Sequence, residues 1–355
     1  MGLRRWRSKL RSLKISMLLS PLGFVEVVHN DFDCSTVPTW CMVSNGVDLY
    51  GLRLDRDLMV LDGAAWTALT SNGNLTGNGA GNLLALGVDV YLVVTNASGP
   101  LNLSFSKYGG AGLWVSQAVL VAYPTLSRIS ACAVMGSDIY LSIYTALNTN
   151  FKIVKYDGTT FTDVTGFYAY TAELSGMSLV VYGGNLYVLS AVGELYLVTG
   201  GALVQKTTAA LWGPPSIAPQ SQFPGPVGVA VNGNLLIPNL ANNNGAGMQS
   251  GAFFSWDGVS AEFVQVVPAY PPNGIKGALL YQGEYYQIDN TSSYILNWNG
   301  GSEMLRVSGG GLGHPRQLLN VGDRAYVLFE CGEGETASLM YLVPPPSGIW
   351  PLGVS

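Results

Sequence analysis

Short stretches of alternating apolar and polar residues follow one another along almost the whole chain. Many are joined by a glycine next to a polar residue, as in LDGAAW (61–66), KYDGTTFTDV (155–164), SWDGVSAEF (255–263) and NWNGG (297–301). Apolar–polar alternation is typical of a β-strand, and Asp-Gly or Asn-Gly supplies the positive φ that tight hairpin turns require. The pattern predicts many short antiparallel strands joined by tight turns.

A glycine followed by a polar residue and an apolar–aromatic pair recurs along the chain. The seven copies are GVDLY (46–50), GVDVY (87–91), GSDIY (136–140), GGNLY (183–187), NGNLL (232–236), QGEYY (282–286) and GDRAY (322–326). Their spacing of about 40 to 50 residues is the length of a four-stranded propeller blade. The predicted fold is therefore all-β, a seven-bladed β-propeller of four-stranded antiparallel blades over residues 23–355, with a short N-terminal amphipathic helix before it.

The repeats resemble those of the Kelch-type propeller family. They share the glycine–polar–x–Tyr motif and an aromatic residue in the last strand of a blade, as at Trp66, Trp114 and Phe161. The family's Gly-Gly doublet stands in place only at Gly183-Gly184. The resemblance implies the propeller fold and its blade layout.

Two segments compete to close the ring. FVEVV (24–28) is nearly identical to FVQVV (263–267), the fourth strand of another blade, which indicates that the N-terminus supplies an outer strand to the last blade. SGIWPLGV (347–354) also has the pattern of a fourth strand. We expect the surplus segment to be available for pairing with the edge of a neighbouring subunit by strand addition.

Residues 1–22 form a basic arm before the propeller. Its apolar residues recur at spacings of three and four, which predicts one face of a helix: Leu3, Trp6, Leu10, Leu13 and Met17. The residues expected to contact a partner are Arg4, Arg5, Trp6, Arg7, Lys9, Leu10, Arg11, Leu13 and Lys14. These include six of the 17 basic residues in the chain and leave 11 basic against 22 acidic residues in the rest.

Three interpretations of the arm compete. A secretory signal needs a longer uninterrupted apolar core than ISMLLSPLGF (15–24) and a small-residue cleavage site. A helix on a membrane surface is chemically feasible. The interpretation we favour is docking on an acidic partner, for which the acidic propeller itself offers a surface.

Composition narrows the class of protein. A content of 48% hydrophobic residues excludes disorder, and 11% charged residues with 45 glycines suits short strands and tight turns. The acidic body argues against a specific nucleic-acid binder. Residues 174–193 are uncharged and long enough to span a membrane, but Gly183, Gly184 and Asn185 at their centre predict two strands and a turn, so we predict no transmembrane span.

Four cysteines are too few for a disulfide scaffold. Cys132 lies in an apolar strand, where a small buried residue is expected. Cys34 and Cys41 could form a disulfide in an oxidising compartment, and Cys331 has no partner at a motif spacing.

No motif for catalysis or for a cofactor occurs, and we predict no enzyme, cofactor or metal. His29 and His314 have no metal-type neighbours at ligand spacing. Four aspartates at one turn position would line a face of the ring and could bind a cation or a basic partner: Asp48, Asp89, Asp138 and Asp323. We favour the simpler interpretation that each supplies turn hydrogen bonds, as do those in the repeated Asp-Gly turns, Asp62, Asp157 and Asp257.

The expected function is binding and assembly without chemistry. Low charge, abundant glycine and a basic arm resemble the character of β-propeller proteins in phage tails and virions, which implies a virion component that forms homo-oligomers with other structural proteins. The alternative is a secreted or surface propeller that binds a glycan. Sequons at Asn74, Asn96, Asn102 and Asn290, an Asn-rich segment (239–251), and tryptophans near the hairpin turns suit that alternative: Trp66, Trp114, Trp256 and Trp298.

Overall fold

A computed structural model provides the structure of the chain. It describes residues 23–28, 39–53, 57–62, 65–70, 80–95, 104–116, 126–145, 150–169, 178–190, 194–207, 229–231, 233–238, 253–267, 275–281, 284–289, 295–298, 305–308, 314–321, 324–330 and 338–343. Every regular element within these ranges is a β-strand. The helical arm lies outside them and stays a prediction.

The described strands form seven antiparallel sheets, and each is one blade of the predicted propeller. After β1 (Gly23–Val28), blades 1 to 3 contain, from inner to outer strand, β2 (Thr39–Ser44), β3 (Leu49–Arg53), β4 (Leu58–Asp62) and β5 (Ala65–Ala68); β6 (Ala80–Leu86), β7 (Asp89–Thr95), β8 (Ser104–Tyr108) and β9 (Trp114–Ser116); and β10 (Leu126–Met135), β11 (Asp138–Thr145), β12 (Asn150–Tyr156) and β13 (Phe161–Asp163), with β14 (Tyr168–Ala169) beside β12.

The remaining blades repeat this order. Blades 4 to 7 contain β15 (Ser178–Tyr182), β16 (Asn185–Leu189), β17 (Leu195–Thr199) and β18 (Ala202–Gln205); β19 (Val229–Val231), β20 (Asn234–Pro238), β21 (Phe253–Trp256) and β22 (Val264–Val267); β23 (Ile275–Tyr281), β24 (Glu284–Asp289), β25 (Ile295–Trp298) and β26 (Leu305–Ser308); and β27 (His314–Val321), β28 (Arg324–Glu330), β29 (Ser338–Val343) and β1. The seven-bladed fold is confirmed.

The N-terminal strand closes the ring, as its sequence predicted. β1 runs antiparallel to β29, with Gly23 opposite Val343 and Phe24 opposite Leu342, and it is the outer strand of blade 7. Residues 347–354 lie outside the described ranges, so pairing of that segment with a neighbouring subunit stays a prediction.

The uncharged segment 174–193 contains two strands. β15 and β16 pair antiparallel across Gly183 and Gly184, both at positive φ, which confirms the predicted hairpin. In the part of the chain that the structure describes, no helix is long and apolar enough to cross a membrane.

The repeated tyrosine packs each blade against the next. Tyr91 belongs to a cluster with Ile139 and Tyr156 of blade 3, and Tyr140 belongs to one with Leu186 of blade 4. Neighbouring residues of a strand point to opposite faces. Ile139, next to Tyr140, therefore packs on blade 2, and every strand buries both faces as in a continuous apolar run.

The aromatic residue of the outer strand packs in the opposite direction. Phe161 of β13 lies 5.8 Å, centroid to centroid, from Phe105 of blade 2, and Trp66 of blade 1 packs against Tyr326 of blade 7. Interactions of both kinds therefore occupy blade interfaces, including the one that joins the last blade to the first.

Four inner strands carry a β-bulge at the same level. In blades 1, 3, 6 and 7, two residues of the inner strand face one residue of the second strand, and the extra residues are Trp40, Ser130, Lys276 and Arg316. A bulge increases the local twist of a strand. Its recurrence at one level indicates that the bulge is part of the blade design, a feature that apolar periodicity does not reveal.

Three blades contain a buried threonine that joins the end of the blade to its third strand. We call this contact the threonine clip. In each, the threonine Oγ1 accepts a hydrogen bond from the backbone N–H of a residue twelve positions earlier: Thr70 from Leu58 at 2.7 Å, Thr165 from Ile153 at 3.0 Å and Thr207 from Leu195 at 2.9 Å. The residue before each threonine donates its N–H to the carbonyl oxygen of the same third-strand residue. The threonines are buried, so the hydroxyl satisfies an N–H that water cannot reach.

Candidate functional site

Two turns of each blade lie at the same end of the ring because successive strands alternate in direction. These are the turns from first to second strand and from third to fourth strand, and we call this end the turn face. Its described turns contain glycines at positive φ, namely Gly46, Gly87, Gly136, Gly183 and Gly233 in the first kind and Gly110, Gly158, Gly200 and Gly258 in the second. Positive φ favours glycine, which explains the recurring motif.

The turn face brings together three of the four aspartates that the repeat predicted. Asp48, Asp89 and Asp138 stand at equivalent positions at the start of the second strands of blades 1, 2 and 3. Asp323 lies outside the described residues. The predicted arrangement on one face is therefore present in three successive blades.

Two of these aspartates form ion pairs instead of turn hydrogen bonds. Lys107 Nζ lies 2.6 Å from Asp89 Oδ2, and Lys155 Nζ lies 3.1 Å from Asp138 Oδ2. The lysines occupy one position of the third strand, opposite the repeated tyrosine. The interpretation of these aspartates as turn acceptors is wrong because a cross-strand lysine takes each carboxylate. Since the pairs are partly exposed, each stabilises the fold by at most about 1 kcal/mol.

Asp48 of blade 1 differs from its two counterparts. Its Oδ2 accepts a hydrogen bond from the Tyr50 hydroxyl at 3.3 Å, and the third-strand residue opposite Tyr50 is Val60 rather than a lysine. The turn itself is held by Asn45, whose Oδ1 accepts the N–H groups of Val47 at 3.0 Å and Asp48 at 2.8 Å. No cation within the described ranges forms an ion pair with Asp48.

The Asp-Gly turns behave as the sequence predicted. Asp157 Oδ1 accepts the N–H groups of Thr159 at 2.9 Å and Thr160 at 2.8 Å, and Asp257 Oδ1 accepts that of Ser260 at 2.7 Å. Hydrogen bonds to the ionised form lower the pKa of a carboxyl. The N–H of Thr160 is the main cause of the low pKa of Asp157, and the Ser260 hydroxyl lowers the pKa of Asp257 to about 2.

These two turns predict acid sensitivity. A carboxyl whose pKa is lower in the folded state stabilises the fold fully above its unfolded pKa, near 3.8, and loses that contribution as pH falls toward the folded value. We expect the unfolding midpoint in urea to decrease between pH 5 and about 2. The Asp157→Ala, Asp257→Ala double variant should be less stable than the wild type at pH 7 and should approach it at pH 2. An unchanged difference across this range would contradict the assignment.

Valine occupies the tip of the first turn in blades 1 and 2 only. Val47 is 82% exposed and Val88 is 81% exposed, whereas the corresponding residues of blades 3 and 4 are Ser137 and Gly184. Leu113, in the second turn of blade 2, is 53% exposed. The turn face of blades 1 and 2 therefore presents apolar side chains next to Asp48.

The tryptophans proposed to stack on sugars are structural where they are described. Trp66, Trp114 and Trp256 are all buried between blades. Burial also raises the pKa of the repeated tyrosines Tyr91 and Tyr187. These aromatic rings belong to the core and are closed to a ligand, so the glycan hypothesis loses the residues that suggested it.

The cysteine and metal hypotheses have different outcomes. Cys132 packs against the cluster between blades 2 and 3, and burial raises the pKa of its thiol to about 12, as expected of an apolar strand residue. Cys34 and Cys331 lie outside the described residues, and nothing tests a disulfide to Cys41. In the described part of the chain, no three His, Cys, Asp or Glu side chains come close enough to hold a metal ion.

Comparison with known proteins supports the fold without giving a family. No protein-family model and no curated protein sequence matches the chain. YCF48 from Cyanidioschyzon merolae aligns with 91% of this chain and 99% of its own, at 11% identity and a TM-score of 0.56. YCF48 bound to D1 peptide aligns with a TM-score of 0.57, 12% identity and coverages of 91% and 97%. The chain has the β-propeller fold.

Two further structures extend this likeness. The computationally designed Ika8 protein aligns over 89% of this chain and 99% of its own, with 13% identity and a TM-score of 0.52. The extracellular domain of a hybrid two-component system from B. thetaiotaomicron aligns over 90% of this chain and 39% of its own, with 12% identity and a TM-score of 0.58. At these identities the likeness concerns the propeller fold alone.

Sequence reasoning missed the lysines of the turn face. Lys107 and Lys155 each stand directly before an aromatic residue and a turn, in SKYGG (106–110) and VKYDG (154–158). That shared position is a signal that aligning the third strands would have revealed. The arm residues expected to contact a partner lie outside the described ranges, so the structure does not place them.

Proposed function

We propose that the protein is a non-enzymatic structural component of a virion, such as a phage tail, with a Kelch-like propeller (residues 23–355) and an N-terminal docking arm (residues 1–22). The observation that carries the proposal is the turn face of blades 1 and 2. Val47 and Val88 are almost fully exposed there, beside a carboxylate without a cationic partner. Exposed apolar groups beside a charge are typical of a surface used for contact with another protein segment.

The rest of the described polar groups supports the same function. The carboxylates that looked suited to chemistry hold turns or pair with lysines, as Asp157 and Asp89 show. A ring held by seven blade interfaces is a rigid platform on which contact residues keep fixed positions. Such a platform suits assembly into a larger particle.

The proposal predicts self-association of the purified full chain. We expect light scattering to give a mass above that of one 37.6 kDa chain, in a form that persists on dilution, because particle components associate through repeated surfaces. The same preparation should bind no sugar on a glycan array. A strictly monomeric chain that binds a defined glycan would contradict the proposal and favour the carbohydrate-binding alternative.

A further inference from the structure

The chain enters the propeller at the turn face. Gly23, the first residue of β1, pairs with Val343, the last residue of β29, and β29 runs toward the turn face. The arm is therefore joined to the ring at the turn-face end of blade 7. Blade 7 packs directly on blade 1 through Tyr326 and Leu49, so the arm starts beside the exposed valines of blades 1 and 2.

The length of the arm matches the distance to those valines. A helix from Leu3 to Met17 would be about 22 Å long at 1.5 Å per residue. Facing sheets pack roughly 10 Å apart, so a helix of this length spans about two blade spacings. Starting from blade 7, the arm can reach the turns of blades 1 and 2 without unfolding any part of the ring.

The chemistry of the two surfaces is complementary. The arm has one apolar face, with Trp6 and Leu10 near its middle, and cationic residues on the remaining positions. The turn face offers the exposed side chains of Val47 and Val88 and the carboxylate of Asp48. In blades 2 and 3 the equivalent carboxylates already have lysines, which leaves blade 1 as the position where a cation from the arm can pair.

The turn that presents this surface is held in a fixed shape. Asn45 Oδ1 accepts two backbone N–H groups of the turn, and Ser44 Oγ accepts the N–H of Gly46 at 2.9 Å. A tip fixed in this way costs little conformational entropy when a second surface binds it.

We propose that the arm of each chain docks on the turn face of blades 1 and 2 of its own propeller, with its apolar face over Val47 and Val88 and a cation at Asp48. This inference rests on the proposed function only in taking residues 1–22 as a docking arm. It adds the receptor surface, which is the ring that the arm precedes.

Trypsin provides a direct test because the arm contains six basic cleavage sites between Arg4 and Lys14. In the full chain we expect slow cleavage of the arm, measured by mass spectrometry. The Val47→Ser, Val88→Ser double variant should speed this cleavage at least about fivefold, since cleavage follows the population of the undocked arm. Asp48→Asn should have a smaller effect that disappears at high salt.

A matched control separates docking from general loosening of the protein. Val259 is a turn tip on blade 5 with 88% exposure, and Val259→Ser should leave the cleavage rate of the arm unchanged. Equal rates in wild type, the double variant and this control would overturn the proposal.

Protein concentration distinguishes the arm's own ring from other receptors. Docking on its own ring makes protection independent of concentration, whereas protection that increases with concentration would assign the arm to a second copy and overturn the proposal. Protection that requires vesicles of phosphatidylcholine and phosphatidylserine would overturn it in favour of a membrane surface. Light scattering on the same samples reports self-association separately, so failure of arm docking and failure of the proposed function give different results.

Discussion

Replacing Trp256 with alanine is expected to lower the free energy of unfolding by about 3–5 kcal/mol, the range for removing a fully buried tryptophan. Trp256 is 1% exposed and is among the largest buried side chains. Its ring lies 5.7 Å from that of Tyr182 and 5.3 Å from that of Tyr187, between blades 4 and 5. Urea unfolding followed by circular dichroism measures the change.

Two controls make this expectation specific to the blade interface. Trp256→Phe keeps an aromatic ring but loses the Nε1–H that donates to the Ser260 carbonyl oxygen at 2.8 Å, and we expect it to cost about 1–2 kcal/mol. Val259→Ser, on the same hairpin, should change stability by less than about 0.5 kcal/mol. A loss from Trp256→Ala no larger than that from Trp256→Phe would show that the indole volume does not hold blades 4 and 5 together.

Removing one threonine clip is the second large effect that we expect. Thr165→Val preserves the shape of the side chain but removes the acceptor for the Ile153 N–H, which is then buried without a partner. An unsatisfied buried donor costs about 1–3 kcal/mol. We expect Thr70→Val and Thr207→Val to lower the free energy of unfolding by similar amounts.

Thr162→Val is the matched control for the clip. Thr162 lies on β13 three residues before Thr165 but is exposed, so the same substitution should change stability by less than about 0.5 kcal/mol. Combining Thr70→Val with Thr207→Val should give nearly the sum of the two losses because the clips lie in separate blades. Equal effects of Thr162→Val and Thr165→Val would contradict the role of the clip.

The threonine clips and the arm surface suggest a division of tasks within the ring. Hydrogen bonds of the clips hold the end of a blade to its third strand, as at Thr165, while the interfaces between blades depend on aromatic packing, as at Trp256. The turn face is left to present side chains such as Val47 without a structural task. A surface of this kind can change its contacts without cost to the fold.

The number and order of the blades were predictable from sequence because both depend on local signals. Strand alternation, the Gly-polar turn and the repeated tyrosine each act within a few residues, and seven copies in register leave little choice of fold. The role of Asp157 was predictable for the same reason, since its hydrogen-bond partners are two and three residues away. The similarity of residues 24–28 to 263–267 likewise predicted which strand closes the ring.

The pairing of Asp89 and Asp138 was beyond sequence reasoning. Each carboxylate meets a lysine 17 or 18 residues away, on a strand whose register the periodicity does not set. The same reason hides the threonine clips, which join residues twelve apart, and the β-bulges, which change register by one residue.

The sequence by itself determined a ring of seven blades, its turns and the strand that closes it, because these follow from alternation and turn chemistry along neighbouring residues. Only the tertiary structure decided which carboxylates are paired, which tryptophans are buried and which end of blade 7 the arm adjoins. These depend on the register between strands and on contacts between blades. A difference of one residue in register would move Lys107 to the opposite face of its strand and leave Asp89, like Asp48, without a cation.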